Sequence, residues 1–236
     1  MNATTVTNRP CMPEVVTFVG SRRGVWKVTD MDTISGPPLE KVQRLDVVEG
    51  LTAKLPPWGR WLLRGVTSNE RYATRHEHEK LIARQPELGR PKATFAALIP
   101  IAKSASWWAL AQDEKRRIFE TQSGHIRTGL KYLPAIARRL YHCRDLGGPF
   151  DFLTWFEYAP SSESAFNDLV AKLRKTEEWT YVEREVDIRI ALDRAKELHQ
   201  ARSDTGNIMI SANVRKSRLF SVPPGYPSLF WVQALR

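Results

Sequence analysis

Phe150-Asp151-Phe152-Leu153-Thr154-Trp155-Phe156-Glu157 sends Phe150, Phe152, Thr154 and Phe156 to one side of an extended backbone and Asp151, Leu153, Trp155 and Glu157 to the other. A period of two is the mark of a strand. Ser162 or Ser164 then opens an amphipathic helix, because Phe166, Leu169, Val170 and Leu173 recur at helical spacing. Beyond it, Tyr181 to Ile190 alternates Val182, Arg184, Val186 and Ile188 with Glu183, Glu185 and Asp187, which predicts a second strand. Strand, helix and strand follow without the regular rhythm of a parallel βαβ fold, so the expected class is α+β with an antiparallel sheet.

Upstream, residues 124–142 are expected as one helix, from Gly124 to His142, that Pro134 loosens or kinks, since proline removes a donor and crowds the preceding turn. Gln112 to Ile118 reads as a charged helix, and Lys103 to Trp108 leads into helical structure after the apolar run Ala93 to Ile101. A polar helical stretch is expected over 69–84, and a strand at Trp61-Leu62-Leu63-Arg64-Gly65-Val66. Residues 34–60, rich in proline and glycine, read as a long irregular connection. Val15 to Gly20 and Gly24 to Thr29 read as neighbouring strands joined by the basic turn Ser21-Arg22-Arg23. Gly20 and Gly24 are not followed by Gly-Lys-Ser/Thr, which excludes a phosphate-binding loop of that kind. From Asp193 onward the pattern degrades, and residues 193–236 read as an extension outside the core domain.

The 236 residues suffice for one large domain or two small ones with a real core. A composition of 42% hydrophobic and 26% charged residues excludes disorder across the whole chain. The apolar runs fall short of the roughly 20 residues that span a membrane, so no membrane partner is expected. Met1 to Pro13 lacks the apolar core of a secretory leader, and Cys11 and Cys143 make no disulfide framework; both point to the cytoplasm. The net charge of +10 raises the question of nucleic acid. However, seven basic and three acidic residues after Leu192 supply +4 of it, and the remaining +6 is dispersed among acids without a recognisable nucleic-acid motif. No nucleic-acid partner is expected.

Histidines are the natural candidates for chemistry. His76 and His78, two apart on a helix, point about 200° apart and cannot share a metal well. The adjacent His142 and Cys143 do not make a thiol–imidazole pair, because catalytic pairs meet in space rather than in sequence. His125 sits among the small residues Ser123, Gly124 and Gly129, which would let a bulky planar group approach. Eight tryptophans and nine phenylalanines could line a cavity for a flat cofactor or simply fill a core. No Cys-x-x-Cys-His occurs, which excludes covalent haem attachment of that type.

Several blocks together resemble the chlorite dismutase family. They are Ala97-Leu98-Ile99-Pro100-Ile101, Lys103-Ser104, Trp107-Trp108, Lys131 to Asp145, Phe150 to Glu157 and Thr176 to Arg189, in order and at the family's spacing. The resemblance is greatest to the short, dimeric branch and runs from about Val15 to Leu192. It implies two tandem ferredoxin-like units, of the dimeric α/β barrel type, in a domain at 14–192. The first unit (14–92) is abbreviated and the second (93–192) binds haem; residues 193–236 match nothing in the family.

The resemblance also implies a haem b cofactor, with His125 as the axial ligand and Arg138, thirteen residues on, as the catalytic group above the iron. Glu178 is implied as acceptor of the ligand's other ring N–H. Trp107 and Tyr72 are implied as propionate partners, Gln85 as the glutamine near the arginine, and Leu140, Thr154 and Phe156 as walls of the upper pocket. The activity implied is conversion of chlorite, a small anion, to chloride and O2 by a homodimer, with detoxification as a guessed role. The rivals are a coproporphyrin-haem decarboxylase, against which Arg138 speaks, and a haem carrier or sensor without turnover.

Overall fold

A computed structural model of the chain describes residues 14–50, 54–67 and 72–193. Eight strands run antiparallel: β1 (Val15–Ser21), β2 (Trp26–Ser35), β3 (Arg44–Glu49), β4 (Gly59–Val66), β5 (Phe95–Lys103), β6 (Ala137–His142), β7 (Phe152–Tyr158) and β8 (Val182–Leu192). They close into a barrel in the order β1-β3-β2-β8-β5-β7-β6-β4. Each half keeps its four strands together: β4-β1-β3-β2, then β8-β5-β7-β6, so both share one internal order. The long β2–β8 ladder joins the halves on one side, and the Val66–His142 pairing of β4 with β6 closes the other.

The halves differ in their helices. Among the described residues none lies between β1 and β4. In the second half α2 (Ala105–Ala109), α3 (Gln112–Arg116) and α4 (His125–Leu130) lie between β5 and β6, and α5 (Glu163–Leu173) between β7 and β8. The first half's α1 (Arg75–Arg84) follows β4 and is opened by a capping box, with Thr74 accepting from the Glu77 N–H and Glu77 accepting from the Thr74 N–H.

Strand alternation explains where the core sits. Leu98, Leu153 and Trp155 face the barrel lumen with Phe18, Trp26 and Tyr141. Their neighbours Ile99, Phe152 and Phe156 face outward against Phe166, Leu169 and Leu173 of α5. Strands buried on both faces need apolar residues at nearly every position. For this reason β5 appears in the sequence as an unbroken apolar run.

Several expectations are corrected. Residues 124–142 are not one helix: α4 ends at Leu130 and β6 begins at Ala137. Ala137-Arg138-Arg139-Leu140 is rich in helix formers, but a ladder with β7 (Arg138 opposite Phe156, Leu140 opposite Thr154) overrides that weak preference. Residues 34–60 are not irregular throughout, since β2 extends to Ser35 and β3 occupies Arg44–Glu49. The strands β1 and β2 are not neighbours, because β3 is inserted between them. Helix α3 stops at Arg116 and passes into a π-helical turn, Arg117–Gln122. The extension beyond Asp193 lies outside the described residues. Among those residues no helix is long and apolar enough to cross a membrane.

Candidate functional site

The second half brings most of the candidate residues together between its helices and the outer face of β5, β6 and β7. His125 is the first residue of α4, preceded by Gly124 in the left-handed region (φ 59°) that favours glycine. The π turn before it places Phe119 against the imidazole, stacked at 4.4 Å between ring centroids. Such turns concentrate at functional sites. The His125 Nδ1 lies 2.6 Å from Glu178 Oε2. If Nδ1 carries the proton shared with that carboxylate, Nε2 of the neutral ring is left as the electron-pair donor.

Glu178 is only 4% exposed and is fixed at three points. Its carboxylate also accepts from Lys103 Nζ at 3.0 Å, the same ammonium donates to the Glu178 carbonyl, and the Glu178 N–H donates to Ser123 Oγ. Burial pushes the Glu178 carboxyl up, but the Lys103 ammonium and the hydrogen bonds from Lys103 and His125 outweigh it and bring it down to about 2. The buried carboxylate is therefore ionised throughout the neutral range. Lys103 also lies 4.6 Å above the Trp107 ring, so one ammonium braces both the carboxylate and the tryptophan.

The sequence reading gave Lys103 no role. A signal was present: it follows Ala97, Ile99 and Ile101 at a spacing of two, which puts a cation on a strand's apolar face. A lysine there requires a buried partner.

Arg138 comes from β6 and is 2% exposed. Its guanidinium rests on Gly129, four residues after His125 and on the same helix face; a Cβ at Gly129 would stand 2.5 Å from Nη1. Any larger residue there would displace the arginine. Burial pulls the Arg138 pKa well below the ordinary arginine value. That value is high enough at the start for the group to remain a cation at neutral pH. Gln85, the C-cap of α1, donates from Nε2 to the Arg138 carbonyl at 3.0 Å.

Across the β6–β7 ladder, Phe156 is opposite Arg138 and Thr154 opposite Leu140. Thr154 and Phe156 line an apolar cavity together with His125, Ile99, Ile101, Val170, Leu173 and Trp179. Leu140 packs at the margin of the same apolar cluster.

Trp107 is fully buried, and its Nε1 has no hydrogen-bond partner among the described residues. Tyr72 packs into the same small cluster, donates its hydroxyl to Gln112 and holds the left-handed backbone (φ 63°) that non-glycine residues avoid. His76 and His78 lie on α1, and His142 packs edge-on against Phe152 at the end of β6.

A sequence profile of the chlorite dismutase family matches residues 57–193, more than half of the chain. The chain belongs to the chlorite dismutase family. The crystal structure of a dimeric chlorite dismutase from Nitrobacter winogradskyi is similar at 54% identity and a TM-score of 0.70, covering 75% of this chain and 99% of that one. A variant chlorite dismutase from Candidatus Nitrospira defluvii is similar at 26% identity and a TM-score of 0.50, covering 60% of this chain and 58% of that one. The chlorite dismutase of Ideonella dechloratans is 37% identical over 87 residues, which span 37% of this chain and 28% of that protein's length. The antiparallel α+β class read from the sequence is the class of these relatives. The profile spans β4 to β8 and so includes Lys103, His125, Arg138 and Glu178.

Proposed function

We propose that this chain is a haem b chlorite dismutase that converts chlorite to chloride and O2 with formation of the O–O bond. The observation that carries this reading is a buried Lys103–Glu178–His125 relay on one side of an apolar cavity, with a buried arginine resting on the same helix one turn away. The repeated strand order of the two halves supports reading them as tandem ferredoxin-like units, the first abbreviated to four strands and α1 among the described residues. The domain then comprises residues 14–192, and the dimeric relative supports a homodimer. The cytoplasm remains the compartment we propose.

The residues fit haem on three counts. His125 offers one ring nitrogen while the other is held by Glu178. Gly129 leaves the α4 surface without a side chain beside Arg138. Trp107 Nε1 is a buried donor that a propionate would satisfy, with Tyr72 packed nearby. When bound, the iron supplies the redox centre at which chlorite gives up an oxygen atom.

The rest is the work of the chain. Glu178 fixes the orientation of the imidazole and makes it a stronger electron donor, which favours oxidised iron. Arg138, a cation stripped of water, attracts chlorite and holds the departing chlorine oxyanion close enough to react again. Phe156, Thr154 and Leu140 keep the local dielectric low and strengthen that hold. A carrier or sensor would have no use for such a buried guanidinium.

The test is an oxygen-electrode trace after chlorite is added to haem-loaded protein. One O2 evolved per chlorite consumed is the expected result, and absence of O2 from fully haem-loaded protein overturns the reading.

A further inference from the structure

Residues 85–90 cross from α1 towards β5 and form a strap along the start of β6. Gln85 holds the Arg138 carbonyl at one end. In the middle, Leu88 (6% exposed) enters the barrel core, and the Gly89 N–H donates to the buried Glu157 carboxylate. Glu157 is opposite Ala137, the residue before Arg138. At the far end, Arg90 donates from Nη1 to the Pro134 carbonyl at 2.9 Å and from Nη2 to the carbonyls of Ala135 at 3.0 Å and Glu157 at 3.2 Å. Pro134 and Ala135 belong to the connection between α4, which carries His125 and Gly129, and β6, which carries Arg138.

We infer that Arg90 is a positioning residue for Arg138: its guanidinium fixes the connection between the two site-bearing elements and so sets where the Arg138 side chain lies. The inference rests on the reading of Arg138 as the anion-holding group and assigns a role to a residue outside that site. The physical basis is geometric. Arg138 is the second residue of β6, so its place depends on where the strand begins, and a displacement of about 1 Å can cost on the order of a hundredfold in rate. A planar, rigid fork can bridge carbonyls of two elements at once, which a lysine ammonium cannot do with the same geometry.

The experiment uses haem-loaded protein, fluoride as a probe anion titrated by absorbance, and hydrogen exchange across residues 134–140. Arg90→Ala should weaken fluoride binding about tenfold and speed exchange in that segment, with Arg90→Lys intermediate. In an Arg138→Ala background, Arg90→Ala should change fluoride affinity by less than about twofold, since the group it positions is gone. Unchanged exchange in Arg90→Ala overturns the inference, as does equal weakening of fluoride in both backgrounds. If Arg138→Ala alone leaves fluoride binding intact, the failure belongs to the role given to Arg138. The exchange data then decide for Arg90: faster exchange upholds it as the fixing residue, and unchanged exchange removes it.

Discussion

The imidazole side and the guanidinium side of the site are buried to similar degrees, with His125 9% and Arg138 2% exposed, yet their electrostatics are opposite. On the first side the Lys103 ammonium offsets the Glu178 carboxylate, which also holds His125 Nδ1, and the carboxylate's proton affinity falls despite burial. On the second, desolvation dominates and pulls the Arg138 pKa down. A buried ion pair that also holds an imidazole fixes an orientation, whereas a buried guanidinium presents a planar fork of donors suited to an anion. In the proposed function the first is the scaffold side and the second the substrate side.

Four substitutions test that contrast. The largest effect is expected at Lys103. Lys103→Met takes the ammonium partner from the buried Glu178 carboxylate and should destabilise the protein by about 3 kcal/mol, measured by denaturant unfolding. A change below about 0.5 kcal/mol would mean the ion pair is not buried as described. Next, Arg138→Ala should keep haem and stability but lower chlorite turnover about a hundredfold. Equal turnover with equal enzyme lifetime would remove the arginine from the substrate side.

The contrast between the sides is partly written in the sequence and partly not. Strand β7 and helix α5 were legible because their apolar spacing is clean: Phe152 and Phe156 alternate with Leu153 and Trp155, and Phe166, Leu169 and Leu173 recur each turn. Strand β6 was not, since Arg138, Arg139 and Leu140 suit a helix and only their partners in β7 make them a strand. Strand β3 was hidden between Gly36-Pro37-Pro38 and Pro56-Pro57, whose turn chemistry dominates a short reading window. For the site, residue types near His125 suggested room for a planar group. Its pairing with Glu178, 53 residues away, came only through the family resemblance. Lys103 was visible as a cation on an apolar face, but what it faced was not. The joining of Arg90 to Pro134 and Glu157 depends on tertiary structure alone.

The two remaining substitutions are smaller in effect. Glu178→Gln keeps the shape but removes the charge, so the imidazole loses donor strength. The iron's reduction potential should rise in a redox titration, with haem held about 10-fold less tightly. A potential equal to that of the unsubstituted protein would separate Glu178 from the imidazole's electronics.

Glu157, beneath the strap, supplies the pH-dependent comparison. Burial raises its pKa above the ordinary 4.5, partly offset by hydrogen bonds from Trp155 and Gly89 and by the charges of Arg139 and Arg90. A carboxyl raised in the folded state carries a stability penalty above its folded pKa, and that penalty is relieved as pH falls through it. Thermal melts should therefore show the unsubstituted protein gaining on Glu157→Gln as pH drops from neutral towards the carboxylate range. A gap between the two that does not vary with pH would contradict this.

We propose His125 as the group through which this barrel holds haem. Titration of hemin into the purified chain and into His125→Ala, followed in the Soret region, tests it most directly. Saturation at one haem per chain is expected for the unsubstituted protein, and no stable complex for the variant. A Soret band of equal intensity and position in both would contradict it.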